Sequence, residues 1–124
     1  MSNILLVDDD DDSRELLAEL LRAQGHDVCL AQNGKGALSM LPGLPRPCTV
    51  LLDLNMPEIG GEGVLRTLAQ AGAPDAFPVI VISADDRAVE PRYPNVLARL
   101  CKPFEFAALN QLLARTDALD SLGV

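Results

Sequence analysis

Tryptophan is absent from this 124-residue chain, and the aromatic side chains are limited to Phe77, Tyr93, Phe104 and Phe106. That leaves no platform on which unpaired bases could stack. Basic residues are also few, ten Lys and Arg against 18 Asp and Glu, for a net charge of −8. Without a basic cluster, direct binding to a nucleic-acid backbone is not expected. No apolar run approaches the ~18 residues that a bilayer demands. Charge begins already at Asp8, too early for the hydrophobic region of a secretory leader. The expected location is the cytoplasm, with no direct contact to nucleic acid or membrane.

Cysteine and histidine are equally sparse. Cys29, Cys48 and Cys101 are odd in number, lack a C-x-x-C spacing, and lie in runs rich in Val, Leu or Thr. They are expected to be reduced core residues rather than ligands or disulfide partners. The lone His26, in Gly25-His26-Asp27, cannot build a histidine metal site and has no nucleophile beside it. It is expected at a helix-to-strand turn.

What is present is a chain of one domain's length, 1–124, with 48% hydrophobic residues, enough for one core. Five short apolar runs recur: Ile4-Leu5-Leu6-Val7, Val28-Cys29-Leu30-Ala31, Thr49-Val50-Leu51-Leu52, Val79-Ile80-Val81-Ile82 and Val96-Leu97-Ala98-Arg99-Leu100-Cys101. Runs without polar alternation are the pattern of parallel strands covered on both faces. Helical patterns lie between them. Leu16, Leu17, Leu20 and Leu21 form an apolar stripe, Asp12-Ser13-Arg14-Glu15 has capping-box spacing, and Gly25 fits a helix stop. Further helices are expected over 34–41, ended by Pro42, over 61–71, and over 104–116 with Phe106, Leu109, Leu112 and Leu113 facing inward. Pro91 and Pro94 allow only a short or irregular fourth helix. Alternating strands and helices make the class α/β, with a parallel sheet and right-handed crossovers.

In such a sheet, ligands bind at the carboxyl ends of the strands. The polar residues that follow the runs are Asp8 and Asp9, Gln32 and Asn33, Asp53, Ser83 and Lys102. Three carboxylates converging on one crevice repel one another by roughly 4 kcal/mol per pair at 4 Å and an effective dielectric near 20. A hard divalent cation resolves this, and oxygen-only ligands favour Mg²⁺. An ammonium at Lys102 and a hydroxyl at Ser83 can hold phosphoryl oxygens, so a carboxylate among them can attack phosphorus. Asp10, Asp11 and Asp12 read as a solvated run and helix cap.

These residues resemble the receiver domain of two-component response regulators over nearly the whole chain. The motifs are Ile4-Leu5-Leu6-Val7-Asp8-Asp9-Asp10, Ala31-Gln32-Asn33-Gly34, Leu52-Asp53-Leu54-Asn55-Met56-Pro57, Gly61, Val79-Ile80-Val81-Ile82-Ser83-Ala84 and Lys102-Pro103-Phe104. The resemblance implies a flavodoxin-like, doubly wound five-stranded sheet of order 2-1-3-4-5, with Asp53 as phosphoacceptor. Asp9, Asp53 and the Asn55 carbonyl would hold Mg²⁺ directly, and Asp8 through water. Ser83 would be the switch hydroxyl, and Lys102 would contact the phosphoryl group. The implied function is a phosphorelay switch that catalyses only its own phosphorylation and dephosphorylation. Its donor would be a histidine kinase or histidine phosphotransfer protein, its output an unknown downstream protein.

Two departures stand out. Arg99 occupies the position where the family usually carries a rotating aromatic, and the segment from Ser83 to Lys102 is shorter than usual. An arginine is expected to stay at the surface, and the broken helix to disfavour dimerisation, so the chain is expected to remain a monomer. Two alternatives are a haloacid-dehalogenase-like phosphatase, which wants a second acid where Asn55 stands, and an interaction module that is not phosphorylated. The motifs fit a stand-alone regulator, a module of a hybrid kinase, or a piece of a longer regulator.

Overall fold

The uninterrupted apolar runs become the interior of one parallel sheet. The computed structural model describes residues 3–45, 48–53, 77–83, 96–101 and 104–121, the side chains of Ser83 and of 116–121 excepted. The strands are β1 (Asn3–Val7), β2 (Asp27–Ala31), β3 (Thr49–Asp53), β4 (Val79–Ser83) and β5 (Val96–Cys101). Their order is β2-β1-β3-β4-β5, and every pairing is parallel. This is the order the resemblance implies.

Side chains alternate between the faces of a strand, so a continuous apolar run feeds two cores at once. Leu5, Val7, Val50, Leu52, Val79 and Val81 pack on one face with Ala37 and Leu41. Ile4, Leu6, Leu51, Ile80 and Ile82 pack on the other, against Ala18, Leu21, Leu109 and Leu113. The described helices are α1 (Asp11–Ala23), α2 (Gly34–Met40) and α3 (Phe106–Ser121). A 3-10 turn over Leu41–Gly43 takes Pro42 within it, so α2 stops one residue short of the expected boundary. The last helix begins two residues later than expected and runs to Ser121. Its inward residues hold: Leu109 and Leu113 are buried, Phe106 and Leu112 half-buried.

The α1 expectations need two corrections. The cap is Asp10, whose carboxylate accepts from the Asp12 N–H and the Ser13 hydroxyl, two residues earlier than the capping-box spacing suggests. The inward arc is Arg14, Ala18 and Leu21, whereas Leu16 and Leu20 are 61% and 40% exposed. At roughly 100° per residue, Leu16 lies on the side of the helix opposite Ala18, so one stripe could not bury both.

The other end of α1 behaves as expected. Gly25 has φ 93°, its N–H donates to the Arg22 carbonyl at 3.0 Å, and the His26 N–H donates to the Leu21 carbonyl at 3.3 Å. This paired closure needs a left-handed residue, which glycine adopts without a Cβ penalty. His26 is buried at the turn leading into β2.

The cysteine expectation holds for one residue of three. Cys48 is buried, but Cys29 and Cys101 are exposed. Both lie on edge strands, where alternate residues face solvent. Burial, and then proximity to Cys29, push the Cys48 thiol up from 9.0 to about 12, against a smaller opposing contribution from a Leu5 backbone hydrogen bond. The expected helix over 61–71 and the irregular one between Ser83 and β5 fall outside the described residues.

Candidate functional site

The carboxyl ends of the two adjacent central strands bring the acids together. β1 ends at Val7, which pairs with Leu52 of β3, so the next residues along, Asp8 and Asp53, leave the sheet side by side. Ligand oxygens from Asp8, Asp9 and Asp53 all lie within 4.8 Å of one another. Asp8 and Asp53 are 6% and 4% exposed, while Asp9 is open to solvent. Two carboxylates are therefore shielded and the third is reachable. An oxygen-only set without sulfur or imidazole has the chemistry of a hard divalent cation site.

Hydrogen bonds hold the loop that carries this pair. The Asp8 N–H donates to the Ala31 carbonyl at 3.2 Å, tying the loop to β2. The Asp10 N–H donates to Asp8 Oδ1 at 3.0 Å. From α1, Arg14 Nη1 donates to the Asp8 carbonyl at 2.8 Å, and Nη2 pairs with the Asp11 carboxylate. Arg14 was legible in the sequence only as part of a capping-box tetrapeptide. The signal that could have found it is its place four residues after the cap, on the arc shared with Ala18 and Leu21.

The remaining polar residues divide. Ser83 is the last residue of β4, next to β3 and thus one strand away from Asp53. Asn55 and Lys102 lie outside the described residues. Asn33 does not join the acids: its Oδ1 accepts from the Gly36 N–H at 2.7 Å and caps α2. Gln32 is exposed beside it. Arg99 is exposed on β5.

Asp8 and Asp53 also line an open cleft of about 620 Å³ between α1 and the approach to α3. Its apolar walls include Leu16, Leu20, Phe104 and Phe106. The two leucines missing from the core are thus the wall of a cleft that ends at buried carboxylates. No helix among the described residues is long and apolar enough to cross a membrane.

A sheet of this order with three acids at the ends of β1 and β3 matches known proteins. The family model described as the response regulator receiver domain matches residues 4–114. The chain belongs to the response regulator receiver domain family. The response regulator MprA of Mycolicibacterium vanbaalenii is 42% identical over an alignment of 120 residues that covers 94% of this chain and 49% of that protein. The receiver domain therefore spans about half the length of the curated relatives it matches. The crystal structure of response regulator TrrA from Thermotoga maritima, in complex with Mg²⁺-BeF, superposes with a TM-score of 0.82. Sequence identity to TrrA is 27%, over 94% of this chain and 99% of that one. The receiver domain of the Francisella response regulator 1452 shares the fold, with a TM-score of 0.81 at 24% identity, covering both chains fully. Membership makes this chain a phosphoacceptor module of two-component signalling.

Proposed function

We propose that Asp53 is the phosphoacceptor and that Asp8, Asp9, Asp53 and the Asn55 carbonyl hold Mg²⁺ beside it. The observation that carries this is the approach of Asp53, buried at the end of a central strand, to within 4.8 Å of both other acids. Mg²⁺ bound there supplies charge neutralisation and polarises the phosphoryl oxygens. Asp53 contributes the nucleophile: a carboxylate oxygen attacks phosphorus in line, and the bond from phosphorus to the donor's imidazole nitrogen breaks, its electron pair leaving with the imidazole. The Lys102 ammonium and Ser83 hydroxyl take the transferred oxygens. Hydrolysis reverses the state when water attacks phosphorus and Asp53 leaves as carboxylate. The phosphatase alternative has no use for the Asp8 and Asp9 pair, and their convergence on Asp53 favours the receiver reading.

The donor is a histidine kinase or histidine phosphotransfer protein. Leu16 and Leu20, exposed on α1 along the wall of the Asp53 cleft, supply an apolar surface on which a donor helix can pack. We read 1–124 as one cytoplasmic receiver domain that remains a monomer and signals to a downstream protein by reordering the loop from Ser83 to Pro94. Arg99 stays at the surface in both states, since taking a guanidinium out of water is strongly unfavourable. Acetyl phosphate with Mg²⁺ should add one phosphoryl group by intact-mass spectrometry, and Asp53→Asn should abolish it. Labelling that survives in that variant would show that another acid is the acceptor. Sedimentation velocity with beryllofluoride should show a monomer, and an activation-dependent dimer would overturn that part of the reading.

A further inference from the structure

Arg14 takes no part in the transfer chemistry, yet it is 5% exposed on α1. A guanidinium is seldom buried to this degree without partners that use it. One partner is the carboxylate of Asp11, a side chain 77% exposed that neutralises the charge at the surface. The other is the main-chain carbonyl of Asp8, at 2.8 Å.

That carbonyl belongs to the peptide joining Asp8 to Asp9. The peptide is planar, so fixing its oxygen also fixes the direction of the Asp9 N–H and the point from which the Asp9 side chain departs. Two further bonds on this loop act at other atoms. The Asp10 N–H holds the Asp8 carboxylate, and the Asp10 side chain caps α1. Arg14 connects the body of the helix to the 8–9 peptide. Asp9 is the exposed member of the triad, with least packing of its own to place it.

We propose that Arg14 is a positioning residue for the acidic site, acting through the Asp8–Asp9 peptide to hold the Asp9 carboxylate where three acids share one divalent cation. This rests on the reading that Asp8, Asp9 and Asp53 hold Mg²⁺. Asp11 serves it indirectly by orienting the guanidinium. Arg14→Lys keeps the charge and can still donate to the carbonyl, but it loses the fork that engages both partners at once.

The test is calorimetric titration of the whole chain with Mg²⁺ alone, for the wild type, Arg14→Met, Arg14→Lys and Asp11→Asn, with circular dichroism confirming the fold. Residues that orient metal ligands typically change affinity by about 10–100-fold, so Arg14→Met should weaken Mg²⁺ binding at least about tenfold. Arg14→Lys should recover part of the loss, and Asp11→Asn should show a small weakening of a few fold. In acetyl phosphate labelling, the half-saturating Mg²⁺ concentration should rise by the same factor while the rate at saturating Mg²⁺ changes less than twofold. A purely structural role would leave the metal dependence unmoved. Wild-type affinity in Arg14→Met overturns the proposal. If that variant does not fold, unchanged affinity in both Arg14→Lys and Asp11→Asn overturns it instead. The binding measurement needs no phosphoryl transfer. A wild type that binds Mg²⁺ but accepts no phosphoryl group would therefore sink the Asp53 reading alone.

Discussion

The central strands β1, β3 and β4 and the edge strands β2 and β5 draw on the same aliphatic residues but meet different surroundings. Leu6, Leu51 and Ile80 are at most 1% exposed, whereas Leu97 on β5 is 45% exposed. The central strands have neighbours on both sides and packing on both faces. Each edge strand has one neighbour, and every second residue turns outward. The two buried acids at strand ends, Asp8 and Asp53, come from adjacent central strands. Of the two polar residues after edge strand β2, Asn33 is instead used to cap a helix and Gln32 is exposed. Convergence of charge requires strands that lie side by side and a frame rigid enough to hold it, and the middle of the sheet provides both.

The largest effect that should separate the two regions is on stability. Leu6→Ala should cost about 2–5 kcal/mol in urea unfolding, because a fully packed site cannot collapse around the missing atoms. Leu97→Ala should cost about 1 kcal/mol or less, since its side chain is only partly removed from water. Equal losses would break the comparison.

A smaller effect follows from the acids. Mg²⁺ at 100 times its dissociation constant should stabilise the fold by about 2.7 kcal/mol, seen as a rise in melting temperature over the same protein in EDTA. Asp9→Asn should remove most of that rise, and Asp27→Asn, exposed on edge strand β2, should leave it intact. A rise of the same size in both variants would place the ion elsewhere.

The smallest effect sharpens the contrast chemically. At pH 8, iodoacetamide should alkylate the exposed Cys29 and Cys101 and spare Cys48, whose burial raises its pKa to about 12. The sign for stability follows from the same shift. The unfolded thiol loses its proton near 9.0 and the folded one near 12, so the contribution of Cys48 is complete below pH 9 and is lost as pH rises towards 12. Rapid labelling of Cys48 in native protein would show that its end of β3 opens readily.

Much of this was legible because parallel strands and their ends leave strong marks. Four apolar residues in succession cannot all face one side of a strand, so runs such as Ile4-Leu5-Leu6-Val7 already required cover on both faces. An acid at the end of such a run stands at the sheet's ligand-binding edge, which is how Asp8, Asp9 and Asp53 could be named in advance. Cys29 and Cys101 were misplaced because apolar neighbours do not reveal whether a strand is central or at the edge. Leu16 and Leu20 were misplaced for a related reason. A helix carrying apolar residues on more than half its circumference does not say which part of them the sheet will cover.

The α/β class, the strand positions and the identity of the three acids could be read from the residues alone, because each depends on short-range pattern: period, run length and the residue that ends a run. Tertiary structure alone decided which apolar residues became a cleft wall, which cysteine became buried, and that Arg14 grips the Asp8 carbonyl. Those outcomes depend on contacts between a helix and a loop or between neighbouring strands, and such contacts exist only once the sheet order has set who is adjacent to whom.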